Sequence, residues 1–281
     1  MILVTGATGS IGEHVVRQLA ARGAAFTALV RDRGRGARLG CPLAVGDFDA
    51  PDTLRAALEG AERVLLNGSV DEGMARRQKA VIDAARAAGV AQIVRVSAAG
   101  TSAESDRAIH RWHAEIDEHL AASGVAWSLL QPTYFMQNLL GSAASIRATG
   151  KLHGAFRDGR LAAIDCADIA ACAAVLLTAP IRSGDAFVLT GREAFSFGDV
   201  AASLSAKLGK HVEYVDHPPG ELVASMLSRG MAPTIAESFG KMMEAFASGG
   251  ASLITSGVEH VTGREARSFD EFLTDNLDAF R

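Results

Sequence analysis

Short apolar runs alternate with amphipathic stretches along the first two thirds of the chain. Each run is a few residues long and is bounded by glycine, proline or charged residues, which predicts buried strands. The predicted strands cover residues 1–4, 26–30, 42–45, 63–66, 92–96 and 126–130. Helices are predicted between them, and Gly23, Gly89 and Gly124 end three of these helices. Because continuous apolar strands that alternate with helices are typical of a parallel sheet covered on both faces, the pattern predicts a doubly wound α/β fold.

The pattern changes beyond Pro132, where helical stretches become more frequent. The predicted elements are a helix at 134–148, a loop at 150–159, a short strand at 161–164, a helix at 167–178, strands at 187–190 and 211–215, and helices near 219–229, 233–247 and 269–279. We therefore expect a main domain in residues 1–152, to which part of 160–195 returns, and a small, mainly helical lobe in residues 153–281.

Three glycines separate the first predicted strand from the first helix. Gly6, Gly9 and Gly12 are spaced three residues apart, which permits a tight turn and a close approach of the backbone to a ligand. Amide groups at the beginning of the helix, together with the helix dipole, favour a pyrophosphate there. The residues expected to bind it are Gly6, Thr8, Gly9, Ser10, Ile11 and Gly12. The spacing predicts a dinucleotide site, although a plain turn without ligand has the same spacing.

The end of the second strand indicates which dinucleotide binds. An acidic residue about 20 positions beyond the glycines favours NAD, whereas an arginine accommodates the 2′-phosphate of NADP. Arg31 occupies this place, and Arg33, Arg35 and Arg38 follow it, so NADP(H) is the expected cofactor. Asp32 could instead accept a ribose hydroxyl, which keeps NAD(H) as an alternative.

Other residues follow the remaining strands of the main domain. Ligands of doubly wound sheets lie beyond the carboxyl ends of the strands, so the loops at these ends are expected to line the cofactor cleft. The residues predicted to contact the cofactor there are Asp47 and Phe48 after the third strand, Asn67, Gly68 and Ser69 after the fourth, Ser97 after the fifth and Pro132 after the sixth.

Several segments resemble the NmrA-like branch of the atypical short-chain dehydrogenases. They are 5–12, 30–32, 46–48, 96–97, 131–138, 164–170, 189–191 and 261–264, which extend over nearly the whole chain. Within this branch the sequence looks most similar to bacterial NAD(P)H-dependent quinone and azo-dye reductases. The resemblance implies a Rossmann domain with a small substrate lobe, NADPH binding and reduction of small, often aromatic, acceptors. The branch also contains redox-sensing regulators that bind the nucleotide without evident catalysis, so both functions stay open.

One departure from ordinary short-chain dehydrogenases concerns the catalytic helix. Those enzymes carry a tyrosine and, four residues on, a lysine, whereas matching the helices here places Ile109 and His113 at these positions. An alcohol–carbonyl interconversion, which needs a proton donor, is therefore disfavoured. Quinones, azo groups, imines and enones accept hydride to give products that solvent can protonate. His113 is interpreted in three ways: as a hydrogen-bond partner of the nicotinamide ribose, as a proton donor near neutral pH, or as a helix-surface histidine.

Further candidates lie beside this helix and after the sixth strand. Tyr134, Phe135 and Asn138 are predicted to bind substrate, with Tyr134 as a possible catalytic residue or a simple packing residue. Asp117 is expected on a solvated helix face, together with Glu115 and Glu118. Asp168 is expected either to cap its helix or to tie the two lobes together.

Composition and charge narrow the class of protein. The net charge of −4 gives no reason to expect nucleic acid or an anionic membrane as a partner. Cys41, Cys166 and Cys172 lack metal-site spacing, so we expect reduced thiols, no metal and a cytoplasmic location. The sequence leaves the oligomeric state open. The two hypotheses are an NADPH-dependent reductase of a small organic acceptor and an NADP-binding redox sensor.

Overall fold

The computed structural model describes all 281 residues, which form nine strands and twelve α-helices. The strands are β1 Ile2–Val4, β2 Phe26–Val30, β3 Leu43–Val45, β4 Arg63–Leu66, β5 Gln92–Val96, β6 Ala126–Pro132, β7 Lys151–Gly154, β8 Asp185–Leu189 and β9 Glu213–Asp216. The helices are α1 Ser10–Ala21, α2 Arg33–Gly36, α3 Pro51–Leu58, α4 Met74–Ala87, α5 Ala108–Ala122, α6 Ala143–Thr149, α7 Cys166–Thr178, α8 Phe197–Leu208, α9 Pro219–Ser228, α10 Pro233–Ala247, α11 Gly257–Thr262 and α12 Phe269–Asn276. Short 3₁₀ helices occur at Ala37–Leu39, Met136–Ser142 and Leu277–Phe280.

Seven strands form one parallel sheet in the order β3-β2-β1-β4-β5-β6-β8. The chain proceeds outward from β1 in one direction and from β4 in the other, so the order reverses between these two strands. Doubly wound sheets bind their ligands at such a reversal, beyond the carboxyl ends of the strands. The predicted fold class is confirmed.

Helices cover both faces of the sheet. The core on one face lies beneath α1, α7 and α11, and the core on the other lies beneath α3, α4 and α5. Leu3 and Val4 are both fully buried and belong to opposite cores, because successive strand side chains point to opposite faces. Burial on both faces explains why these strands are continuous apolar runs in the sequence.

A smaller lobe is built around the parallel pair β7 and β9. Its core is rich in phenylalanine; the buried ones are Phe156, Phe195, Phe197, Phe269, Phe272 and Phe280. Between β7 and β9 the chain returns to the large sheet, where α7 packs on α1 and β8 pairs with β6. The longest helices, α5 and α10, have 15 residues each, and none of the helices has the length and apolar composition needed to cross a bilayer.

The structure differs from the predicted elements mainly in the lobe. The loop predicted at 150–159 contains β7, and the strand predicted at 161–164 is replaced by isolated bridges of Leu161 and Ile164 to other segments. The helix predicted at 134–148 divides into a 3₁₀ helix and α6, and α11 was not predicted. These differences arise because pairing in the lobe joins segments that are far apart in sequence, which local periodicity does not report.

Candidate functional site

The turn between β1 and α1 has a backbone that only glycine permits at two positions. Gly6 has a φ of +62°, and a Cβ added there would lie 2.8 Å from the Asn67 carbonyl oxygen. A Cβ added at Gly12 would lie 2.2 Å from the Gly6 carbonyl oxygen, well inside contact distance. Gly9 closes the turn, since its amide donates to the same carbonyl at 3.1 Å. The sequence spacing therefore corresponds to a sharply folded turn held against the end of β4.

The amino terminus of α1 offers free donors to a ligand. Gly9 is the N-cap, no side chain caps the helix, and the amides of Ser10, Ile11 and Gly12 make no hydrogen bond within the chain. Thr8, Gly9 and Ser10 are exposed. Free amides at the positive end of a helix dipole fit a pyrophosphate, so the predicted residues of this turn do lie where an anion can reach them.

The end of β2 carries exposed arginines beside this turn. Arg31 is exposed and follows β2 directly, and Arg38 donates to the Thr8 carbonyl at 3.1 Å while pairing with Glu13. Asp32 caps α2, and one of its carboxylate oxygens accepts from the amides of Gly34 and Arg35. Because Asp32 is engaged in this cap while Arg31 makes no hydrogen bond in the chain, the site fits the 2′-phosphate of NADP.

The loops after β3 and β4 meet where the adenine end of the cofactor is expected. Phe48 is half-buried, and a Cβ added at Gly68 would lie 3.4 Å from its ring. Asn67 is held by Thr5, whose Oγ1 donates to the Asn67 carbonyl at 2.8 Å.

The polar side chains of these two loops are partly engaged locally. Asp47 accepts from the Asp49 amide at 2.9 Å, and the Ser69 hydroxyl donates to Asp71 at 3.1 Å. Asp47 is half-buried and Ser69 is exposed, and both lie in loops at the carboxyl edge of the sheet. The structure thus brings the predicted adenine-side residues together, with Phe48 and Gly68 in direct proximity.

A buried polar network joins β5 to helices α4 and α5. Arg95 is fully buried; its Nε donates to Gln78 Oε1 at 3.1 Å, its Nη1 pairs with Asp117, and its Nη2 lies 3.1 Å from His113 Nδ1. The other carboxylate oxygen of Asp117 accepts from the Ser97 hydroxyl at 2.6 Å. A buried guanidinium is tolerated only when its donors are satisfied, and here three different side chains satisfy them.

This network corrects two expectations about α5. Asp117 does not lie on a solvated face, since it is largely buried against Arg95 and Ser97. His113 is only 7% exposed, so it is not a surface histidine. Burial, with Arg95 and His110 nearby, lowers the pKa of His113 to about 3, so its imidazole is neutral at neutral pH and does not act as a proton donor titrating there. The geometry thus disagrees with two of the three interpretations, and the hydrogen-bond role toward the cofactor stays a prediction.

Three other predicted positions lie near the ends of β5 and β6 and at the beginning of α5. The Ser97 hydroxyl proton is used in the bond to Asp117, which leaves Ser97 only an acceptor role toward the cofactor. Pro132 is buried at the end of β6, and its carbonyl accepts from the Ala99 amide at 2.9 Å. Ile109, at the place of the usual tyrosine, is half-buried near the beginning of α5.

Tyr134 belongs to an aromatic cluster at the junction with the lobe. Its ring contacts Phe156 and Phe246 edge-on, with centroids 5.8 and 6.0 Å away. Burial raises the pKa of Tyr134 to about 12, which the nearby Asn138 side chain partly opposes, so the phenol stays protonated. Asn138 is exposed, whereas Phe135 packs against the core beneath α1 and α7 rather than with the aromatic cluster.

A second polar cluster ties α7 to the segment that precedes α12. Asp165 caps α7 and accepts from Gln137 at 2.7 Å. Asp168, which is fully buried, accepts from the Arg267 amide at 2.7 Å and lies 2.8 Å from Arg264. Of the two roles foreseen for Asp168, the structure therefore shows the tie between the lobes.

Other surface features do not belong to this site. A groove of about 550 Å³ lies on the outer side of α4 and α5, and its lining is mostly charged, including Arg76, Lys79 and Glu115. No group of three or more His, Cys, Asp or Glu side chains is arranged to hold a metal ion.

The sheet reversal, the glycine turn with free amides and the basic end of β2 together define a dinucleotide-binding protein of the doubly wound class. A family model described as the NmrA-like family matches residues 1–275. The chain is 37% identical to an NAD(P)H azoreductase of Xenophilus azovorans, over all of this chain and 99% of that protein. It is 31% identical to quinone oxidoreductase 2 of Escherichia coli, over 84% of this chain and 85% of the other.

The solved structure of an NADPH-dependent quinone oxidoreductase from Escherichia coli, complexed with NADPH, superposes with a TM-score of 0.87 at 28% identity. It covers 99% of this chain and 100% of that one. The protein belongs to the NmrA-like family, as the resemblance in the sequence implied.

The members of the buried polar network that sequence patterns did not identify are Arg95 and Gln78. Arg95 stands in β5, whose neighbours along the strand are apolar and buried. An arginine in a strand that is buried on both faces needs a buried partner, so its position in the sequence could have indicated a polar network. Gln78 gave no such signal, because a glutamine on an amphipathic helix is usually solvated.

Proposed function

We propose that the protein is an NADPH-dependent reductase that transfers hydride to a small organic acceptor of the quinone, azo, imine or enone type. The observation that carries this proposal is the glycine turn with free amides beside the exposed Arg31. Membership of a family that includes an azoreductase and a quinone oxidoreductase supports it. NADH stays a possible second cofactor, because Arg31 is specific only for the 2′-phosphate.

The chain's own residues bind and orient the cofactor. The amides of Ser10, Ile11 and Gly12 would hold the pyrophosphate, and Arg31 would hold the 2′-phosphate. Phe48, with Gly68 beside it, would lie against the adenine. When bound, the reduced nicotinamide supplies the hydride. The protein's contribution is therefore orientation and a pocket from which water is excluded.

The acceptor would bind where Tyr134 and the lobe aromatics Phe156 and Phe246 meet. The two edge-on contacts make the surroundings of Tyr134 aromatic, which suits a planar acceptor. The protonated phenol of Tyr134 and the exposed amide of Asn138 can donate hydrogen bonds to it. Ile109 has no proton to give, so an acceptor whose reduced form solvent can protonate is the better substrate.

The experiment that tests the reductase follows NADPH absorbance with a panel of quinones, azo dyes, imines and enones. We expect consumption with at least one class and faster turnover with NADPH than with NADH. Tyr134→Phe should lower kcat/KM about two- to tenfold, the effect of one lost hydrogen bond, without changing the Kd for NADPH. An unchanged kcat/KM would remove the Tyr134 hydroxyl from the reaction.

The alternative is an NADP-binding redox sensor that turns nothing over. The observation that favours it is Ile109 at the place of the usual catalytic tyrosine, with a neutral, buried His113 at that of the lysine. Tight NADPH binding with no consumption across the whole panel would establish the sensor and reject the reductase.

We also propose a cellular location and a role for the lobe. The three cysteines are unpaired, which supports a cytoplasmic location, where thiols stay reduced. We further propose that residues 153–281, without α7, β8 and α11, form the substrate-binding lobe, since the aromatic cluster draws on its core.

A further inference from the structure

The tautomer of His113 follows from its contact with Arg95. A guanidinium has only donors, so His113 Nδ1, which lies 3.1 Å from Arg95 Nη2, must be the acceptor. In a neutral imidazole the single proton is then on Nε2. A proton on Nδ1 would point directly at the N–H of Arg95, which is unfavourable in a buried site.

The other ring nitrogen of His113 has nothing to bind within the protein. Nε2 makes no hydrogen bond in the chain and is not among its fully enclosed unpartnered atoms, although the residue is only 7% exposed. His113 lies in the second turn of α5, the helix that follows the loop at the carboxyl end of β5. Nε2 is therefore reachable from solvent, and this unpartnered donor at the carboxyl edge of the sheet is available to a ligand.

We propose that Arg95 and Asp117 are positioning residues that fix His113 as a dedicated hydrogen-bond donor, through Nε2, to a ribose hydroxyl at the nicotinamide end of the cofactor. Asp117 fixes Arg95 by an ion pair and also accepts from Ser97, so the network fastens His113 to the end of β5. This inference rests on the proposed NADPH site. It adds residues that touch neither cofactor nor substrate and act only through His113.

Burial, the charge of Arg95 from β5 and His110 from its own helix lower the pKa of His113 and keep it neutral. The other groups of the surroundings are Asp117, which pairs with Arg95, Gln78 from α4, which accepts from Arg95, and Lys241 from α10, which donates to the Asp106 carbonyl just ahead of α5. Removing Arg95 would leave the imidazole beside Asp117 without the cation that opposes its protonation. The network thus sets both the tautomer and the charge of His113.

The first test measures the tautomer directly by ¹⁵N NMR of the imidazoles in the wild-type protein. We expect His113 to carry its proton on Nε2 throughout pH 5–8, with the resonance identified by its absence in His113→Asn. A proton on Nδ1, or titration of His113 within that range, overturns the proposal. This measurement needs neither turnover nor a destabilised variant.

The second test uses Arg95→Met and Asp117→Asn. In Arg95→Met we expect His113 to populate both neutral tautomers and to titrate within pH 5–8. The affinity for NADPH should fall about tenfold, which is the effect of one misplaced hydrogen bond. Arg95→Met combined with His113→Asn should bind NADPH no more weakly than His113→Asn alone, because both changes remove the same contact. Asp117→Asn keeps the shape of the site and should lower the affinity for NADPH by a smaller factor. It takes the place of Arg95→Met in this test if that variant does not fold.

Arg63→Met is the matched control. Arg63 is a largely buried arginine at the opposite end of the neighbouring strand β4, where it donates to the Ala179 carbonyl at 2.6 Å. It should bind NADPH like the wild-type protein and keep the His113 tautomer. If the wild-type protein binds NADPH and Arg95→Met binds it equally well, the positioning role is wrong and the reductase proposal stands. If the wild-type protein does not bind NADPH, both are wrong.

Discussion

At the scale of single residues, the cofactor site is divided between backbone and side chains. In the proposed site the glycine turn would bind through its amides, and a residue larger than glycine at position 12 is excluded, because a Cβ there would lie 2.2 Å from the Gly6 carbonyl oxygen. Discrimination between nucleotides would fall to the side chain of Arg31, because amides bind the pyrophosphate of either dinucleotide equally well. A substitution at Arg31 should therefore affect selectivity more than binding as such.

Arg31→Ala is expected to weaken NADPH binding about 10- to 100-fold and to leave NADH binding almost unchanged. The reason is the loss of a charge-assisted contact with the 2′-phosphate, worth about 1.5–3 kcal/mol. The measurement is the Kd of both nucleotides by calorimetry. Arg55→Ala, an equally large charge change at an exposed residue of α3, serves as the control. Equal losses for NADPH and NADH would reject the phosphate role of Arg31.

His113 also gives a pH dependence of stability. Its pKa is lowered from 6.5 to about 3, so between these values the unfolded chain binds a proton that the folded protein does not. The folded state is therefore destabilised as the pH falls below about 6.5, by about 2 kcal/mol at pH 5 from this residue, and the loss levels off below about pH 3. His113→Asn should remove that part of the loss.

The measurement is urea unfolding of the wild-type protein and His113→Asn at pH 8 and pH 5. The Asn side chain can still accept from Arg95, which preserves the network. His260→Asn, on α11 beside Phe187, controls for removing a histidine elsewhere. An identical pH dependence in His113→Asn and the wild-type protein would contradict the lowered pKa.

At the scale of elements, α12 shows how the last part of the lobe is secured. Ser268 and Glu271 form a capping box, in which the Ser268 hydroxyl accepts from the Glu271 amide at 3.1 Å and the carboxylate of Glu271 accepts from the Ser268 amide at 2.7 Å. Glu193 accepts from the next amide, that of Phe269, at 2.8 Å. The amides of Ser268, Phe269 and Glu271 at the beginning of α12 thus all have side-chain partners.

Ser268→Ala should lower the free energy of unfolding by about 1 kcal/mol, the usual effect of removing an N-cap side chain. Ser228→Ala is the control, because Ser228 is exposed and its hydroxyl bonds only to a carbonyl of its own helix. Chemical denaturation of both variants measures the difference. A loss no larger than that of Ser228→Ala would show that the cap contributes nothing.

The elements of the main domain could be predicted from the sequence, whereas those of the lobe were only partly predictable. β4 and β5 are buried on both faces, so most of their residues are apolar whatever their partners are. β7 alternates between exposed and buried residues and depends on β9, about 60 residues later, for its pairing. The residues 161–164 are apolar because they are buried at the junction, not because they form a strand.

The candidate site shows the same division. The glycine turn and Arg31 could be predicted because their chemistry is local and their spacing is fixed by the strand–turn–helix unit. The network of Arg95, Asp117 and His113 could not, because it depends on how α5 is rotated against β5. Without that rotation Asp117 is indistinguishable from an ordinary solvated helix residue.

At the scale of the whole molecule, the main domain is completed by residues from the second half of the chain. α7 covers the same face as α1, and β8 is the last strand of the large sheet. A fragment of residues 1–152 would expose buried side chains such as Val15 and Leu19. The predicted sequence boundary is therefore not a boundary at which the chain can be cut.

Expression of residues 1–152 should give a polypeptide without a cooperative thermal transition. The lost cover of α1 exposes apolar surface that no other element replaces. The full-length chain, unfolded under the same conditions and followed by circular dichroism, is the comparison. A sharp two-state transition in the fragment would contradict the expectation.

The path of the chain between the large sheet and the lobe has a mechanical consequence. The chain passes into the lobe after β6, returns for α7 and β8, enters again before α8, returns for α11 and ends in the lobe with α12. A lobe joined by a single linker can rotate freely relative to the main domain. Five chain crossings restrict such a rotation. Access for a substrate should therefore come from movement of individual loops and side chains at the junction, and not from rotation of the lobe as a rigid body.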